Sequence, residues 1–225
     1  MSLWRAALLV LRKDLQIELR TGEVTVTTGL FATLVTLLAS LSFFIDEATA
    51  RLVAPGVLWV SVAFAGVLAM GRTWSRERDN DAFRGLMLSP APRSALYVGK
   101  LLGTLVFLAV VESVVLLEVG VLFNLDLLPV LGPMLLLLVL GTIGFAAAGN
   151  LFAAMGVRTS ARDLVLAVAL FPVIAPALLC GVIGTRELLA GAPFQDILAW
   201  VKILVACDLT FVTAGILLFE PLLSD

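Results

Sequence analysis

"VTVTTGLFATLVTLLASLSFFI", residues 24–45, contains no charged side chain. A helix crossing the hydrocarbon core of a bilayer needs about 20 consecutive apolar residues, and this run supplies them. Five further apolar runs follow, at about 52–74, 99–123, 128–157, 164–184 and 201–223. The strict alternation that a membrane barrel requires is absent from all six. The composition agrees: 61% of the 225 residues are hydrophobic and 14% are charged, against roughly 25% charged in soluble domains. The sequence therefore predicts an all-α integral membrane protein with six transmembrane helices in one permease-like domain, residues 1–225.

Lysine and arginine set the orientation. With the N-terminus inside, the inner segments hold Arg5, Arg12, Lys13 and Arg20, then Arg72, Arg76, Arg78, Arg84, Arg93 and Lys100, then Arg158 and Arg162. These are twelve of the fifteen basic residues, and Arg51, Arg186 and Lys202 fall outside. The expectation is N-in and C-in. Ahead of the first span, Trp4, Leu8, Leu11 and Leu15 recur at intervals of four, three and four, the spacing of one helical face. Residues 2–21 read as an amphipathic helix at the inner membrane surface, too short in its apolar part for a signal peptide. Outside, "FQDILAW" (194–200) reads as a brief interfacial helix before the last span, with Trp200 at headgroup level.

Between spans two and three lies a charged island, "RERDNDAFRGLMLSPAPRSALYVGK", residues 76–100. Phe83, Leu86 and Met87 share one face of a short helix. Ser89-Pro90 and Pro92 end it. The segment 76–93 is either a solvated loop whose arginines fix topology, or a handle that a soluble partner grips, with Arg76, Glu77, Phe83, Arg84, Leu86 and Met87 at the contact. No G-x-x-x-x-G-K-[ST] stretch occurs, so nucleotide hydrolysis is not expected of this chain.

Polar groups inside spans are functional candidates by default. They are Glu112 and Glu118 in span three, Asn150 in span four and Asp208 in span six. Helical rise places Glu118 and Asp208 at one depth in the outer half, lining a pathway or making structural hydrogen bonds. Gly141, Gly144 and Gly149 make span four smooth for close helix packing. Pro172 and Pro176 bend span five as a hinge or a static kink. Cys180 and Cys207 fit no metal motif, and a disulfide between them is one open reading. There is no histidine, hence no usual haem axial ligand. A membrane-embedded enzyme lacks its acid, base and metal groups here.

The island resembles the coupling region of membrane subunits in the ABC-2 class: a charged stretch, a Leu-rich turn, "SP", then "GK" opening the next span. Together with "LRKDLQIELRTGE" (11–23), "APGVLWVSVAFA" (54–65), "LGT" (140–142) and "LFPVIAPALLCG" (170–181), it resembles the haem exporter protein B (CcmB) family, in order from about residue 11 to 220. The resemblance implies a permease subunit of the cytochrome c maturation system in the bacterial inner membrane. It implies a coupling helix at the island and a homodimer above two ABC ATPase subunits, with ATP bound by those partners. Further implied partners are a haem-handling membrane protein, a small membrane peptide and a periplasmic haem chaperone. Membrane lipids are expected around it, and no nucleic acid. Haem is a handled ligand; no stably bound cofactor or metal is expected. The alternatives are an ABC-2 exporter for a lipid, glycan or drug, and a non-transporting scaffold that transmits ATPase motion.

Overall fold

The computed structural model describes residues 2–43, 46–79, 85, 91–156 and 168–224. These form seven long helices: α1 (Leu3–Thr21), α2 (Glu23–Phe43), α3 (Glu47–Asp79), α4 (Arg93–Leu122), α5 (Leu131–Gly156), α6 (Leu170–Leu189) and α7 (Phe194–Ser224), with a 3-10 turn at Leu128–Val130. No strand occurs among the described residues. Helices α2 to α7 are each long and apolar enough to cross a membrane. They alternate in direction, so the start of α2 and the end of α7 share the end of the bundle that carries α1.

Local chemistry sets the breaks. Gly22 closes α1 in the left-handed region at φ 62°, and its N–H bonds to the Glu18 carbonyl at 2.7 Å; glycine takes that conformation without a Cβ clash. The Glu18 carboxylate then accepts the backbone N–H of Thr25 at 2.7 Å, satisfying one of the orphan donors at the start of α2. Asp46 caps α3 by accepting the Thr49 N–H at 2.8 Å. The sequence reading began this span at 52, with Pro55 in its first turn. The cap moves the start to Glu47 and places Pro55 inside the helix.

The last span also differs from expectation. "FQDILAW" is no separate interfacial helix; it forms the first two turns of α7, which runs unbroken from Phe194 to Ser224. Trp200 Nε1 donates to Glu187 at 2.8 Å and ties α7 back to α6. Likewise α4 begins at Arg93, well before position 99. At 30 residues it is about 45 Å long, longer than a hydrocarbon core of about 30 Å.

Close packing depends on small residues on α5 and α6. The Trp59 ring lies where a Cβ on Gly141 or Gly181 would stand, and the Met70 thioether fills the space beside Gly149. Trp59 is 1% exposed and donates from Nε1 to Thr185 at 3.0 Å, so its polar edge is satisfied where its ring is buried. Pro172 sits in the first turn of α6 and Pro176 in its interior. Pro176 has no N–H to offer the Pro172 carbonyl one turn earlier.

Candidate functional site

Helix α1 is more than a surface anchor. It packs along the first half of α4, with Ala7 and Val10 against Gly99 and with Leu11 and Asp14 beside Gly103. A Cβ at Gly99 would collide with the Ala7 carbonyl and Val10, so glycine permits this approach. Ala6, Ala7, Asp14 and Glu18 are buried on that face.

The buried acids meet buried cations there. Lys100 of α4 is 1% exposed; its Nζ lies 2.5 Å from Glu77 Oε1 of α3 and 2.9 Å from Asp14 Oδ2 of α1. Lys13 bonds to the same Glu77 oxygen and stands 3.4 Å from Asp14 Oδ1. Two ammoniums thus face two carboxylates, the balance that buried charge requires. The Lys100 ammonium also stands 5.7 Å from the centre of the Trp74 ring, within cation–π range. Trp74 Nε1 donates to Asn150 Oδ1 at 3.0 Å, and Asn150 Nδ2 donates to Thr104 and to the Ala146 carbonyl at 3.0 and 2.9 Å. Tyr97 donates to the Ala147 carbonyl at 2.9 Å, and the Trp74 and Tyr97 rings both pack on Phe219. One polar and aromatic network therefore joins α1, α3, α4, α5 and α7.

A second, more exposed tier lies beside it. Arg76 bonds Glu18 at 3.2 Å and Glu23 at 3.1 Å, and Arg72 bonds Glu23 at 3.3 Å. Burial pushes the Glu18 carboxyl upward, but hydrogen bonds from Thr25 and Val24 and the Arg76 charge outweigh it and hold the group below the usual glutamate range.

Mid-bundle acids are distributed differently from expectation. Thr142 of α5 donates to Glu112. Asp208 of α7 lies against Gly144, and its carboxyl oxygens have no hydrogen-bond partner among the described residues. Glu118 faces α2 and accepts from Thr33 at 2.6 Å. Asp208 thus shares the level of Glu112, not that of Glu118, because α7 starts at Phe194 and places residue 208 near its middle. Cys180 and Cys207 are free thiols.

A family model described as CcmB protein matches residues 5–220. The chain belongs to the CcmB family. Among curated relatives, this CcmB chain is 26% identical over 195 residues to "Heme exporter protein B" of Bradyrhizobium diazoefficiens, covering 84% of this chain and 87% of that one. It is 30% identical over 162 residues to "Heme exporter protein B" of Pseudomonas aeruginosa, covering 69% and 70%.

In the CcmB chain, two of the sequence-derived coupling residues, Arg76 and Glu77, turn into the network just described. Phe83, Arg84, Leu86 and Met87 lie outside the described residues. Asn150 belongs to the Trp74 network rather than to the mid-bundle acids. The sequence reading missed Lys13, Asp14, Trp74, Tyr97 and Lys100 as a group. Asp14 and Glu18, one turn apart and bordering the Leu11 edge of the Trp4–Leu15 stripe, were the available signal, together with a lone lysine at the mouth of an apolar run.

Proposed function

We propose that this CcmB-family chain is the membrane permease subunit of an ATP-driven complex for c-type cytochrome assembly, with both termini in the cytosol of a bacterium. The observation that carries the reading is the family match over residues 5–220, joined to relatives whose name is heme exporter. The distribution of lysine and arginine supports the orientation. ATP hydrolysis is assigned to a separate pair of ATPase subunits beneath two copies of this chain. Haem is handled rather than held: ligation is assigned to other members of the complex, the haem-handling membrane protein and the periplasmic chaperone, with a small membrane peptide alongside.

The segment 76–93 is the proposed ATPase contact. Its two ends lie at the close of α3 and the start of α4, and the Glu77–Lys100 pair fastens these to each other and, through Asp14 and Lys13, to α1. A push on the segment would therefore be delivered to three helices together. Replacing Phe83, Leu86 and Met87 by serine tests this: ATPase association and cytochrome c maturation should both fall while the six spans still insert. Retention of both would overturn the coupling role.

A second reading has a specific support. Trp59, Trp74, Tyr97 and Phe145 are all buried where helices approach, so among the described residues these helix contacts are filled by side chains. Haem would have to pass along the outside of the subunit or between copies. That favours, as the alternative, a scaffold that transmits ATPase strokes to release the haem-loaded chaperone. Haem accumulation in everted vesicles separates the two: ATP-dependent uptake supports export, and chaperone release without uptake supports the scaffold.

A further inference from the structure

Helix α1 has a face packed on the bundle, an apolar strip whose Leu11 and Leu15 also pack inward, and a basic face turned outward. On a helix of 3.6 residues per turn, Trp4, Leu8, Leu11, Leu15 and Leu19 fall within an arc of about 80°. Trp4 is 66% exposed, Leu8 55% and Leu19 88%. Arg5 and Arg12 border this strip, about 20° apart, with Arg20 about 60° further round; all three are exposed.

The charge pattern says what meets that surface. At this end of the bundle Asp14 and Glu77 are engaged by Lys13 and Lys100, and Glu18 and Glu23 by Arg72 and Arg76. Those acids are consumed internally. Arg5, Arg12 and Arg20 form no ion pair among the described residues; Arg5 and Arg12 border the apolar strip, and Arg20 stands about 80° round from Arg12 on the same outward side. An apolar strip edged by uncompensated guanidiniums is complementary to a bilayer surface with anionic headgroups: the apolar side chains enter the acyl boundary and the arginines meet phosphate.

We propose that the outer faces of α1 form a binding surface for anionic phospholipid, with Trp4, Leu8 and Leu19 in the acyl boundary and Arg5, Arg12 and Arg20 on the headgroups. Because the same helix is fastened to α3 and α4 through Asp14, the bound leaflet holds the ion-paired end of the bundle at a fixed depth. The proposal does not depend on what the complex transports.

Full-length protein in nanodiscs of mixed phosphatidylglycerol and phosphatidylcholine provides the test. Bromine is placed on the chains of one lipid or the other, and quenching of Trp4 is obtained as the difference between the native chain and Trp4→Phe. One arginine near an anionic surface is worth about 1 kcal/mol, or a factor of about five. Brominated phosphatidylglycerol should therefore quench Trp4 at least about fivefold more effectively per lipid. Arg5→Gln/Arg12→Gln/Arg20→Gln should remove that preference, and the matching Arg→Lys variant should keep most of it. Unchanged fluorescence from Trp59 and Trp74 reports that each variant is folded. Equal quenching by both lipids would overturn headgroup selection. Absence of quenching by either would overturn the proposal altogether, because the strip would then be covered by protein, either a second copy or a partner.

Discussion

Replacing Lys100 by methionine keeps the length of the side chain and removes its charge. In the native protein the ammonium is buried between Glu77 and Asp14, whose side chains are only 5% and 6% exposed. Without it, two buried carboxylates share the single charge of Lys13, which is 36% exposed. Breaking a buried pair by removing one partner costs about 3–5 kcal/mol, because the remaining charge is uncompensated. Loss of the cation–π contact with Trp74 adds about 0.5–2 kcal/mol. Glu77→Gln alone should cost less, about 1–3 kcal/mol, since Lys100 keeps Asp14. In the double variant one carboxylate again faces one ammonium, Asp14 with Lys13, and most of the Lys100→Met loss should return. Unfolding by graded sodium dodecyl sulfate in mixed micelles, followed by the fluorescence of buried Trp59 and Trp74, gives the four corners of the cycle. A coupling energy of about 2 kcal/mol or more is expected; distant independent sites add to within about 0.5 kcal/mol. Simple additivity, or a Lys100→Met variant as stable as the native chain, would refute the reasoning.

Thr142→Val leaves Glu112 buried without its donor and should cost about 1–3 kcal/mol, while Glu112→Leu/Thr142→Val should recover most of that in the same micelle assay. The Glu18 carboxyl is held below its ordinary value of 4.5; its contribution is therefore present above that pH and lost as pH falls through the folded value, and Glu18→Gln should flatten this part of the acid stability profile. Single cysteines at Ser2 and Gly191 should label from opposite sides of the membrane in intact cells, Gly191→Cys from outside; the reverse pattern would invert the topology.

The membrane architecture was legible because its cause is local. A run such as 24–45 must be helical in lipid whatever surrounds it, since every backbone polar group has to be satisfied internally. Helix starts were less legible. Asp46 and Thr49 form an ordinary capping pair, but hydropathy alone placed that boundary at 52, and it began the last span at 201 when α7 in fact starts at Phe194. That one shift moved Asp208 from the depth of Glu118 to mid-bundle, beside Gly144. The ion cluster was the least legible feature. Lys13, Asp14, Glu77 and Lys100 come from three helices, and no spacing in the chain announces that they meet. The amphipathic period of α1 was visible, but a two-faced helix and a three-faced one share the same stripe; only the contact with Gly99 and Gly103 reveals the third face.

The claim that this chain is the permease of a haem-handling, ATP-driven complex is tested most directly by what it is bound to. The chain would be purified in mild detergent from its own cells, and everything recovered with it identified by mass spectrometry. The account predicts an ABC ATPase together with haem-handling membrane and periplasmic proteins, with ATPase recovery lost in the Phe83, Leu86 and Met87 serine variant. Recovery without an ATPase, or of an ATPase accompanied by lipid- or glycan-processing proteins, would contradict it.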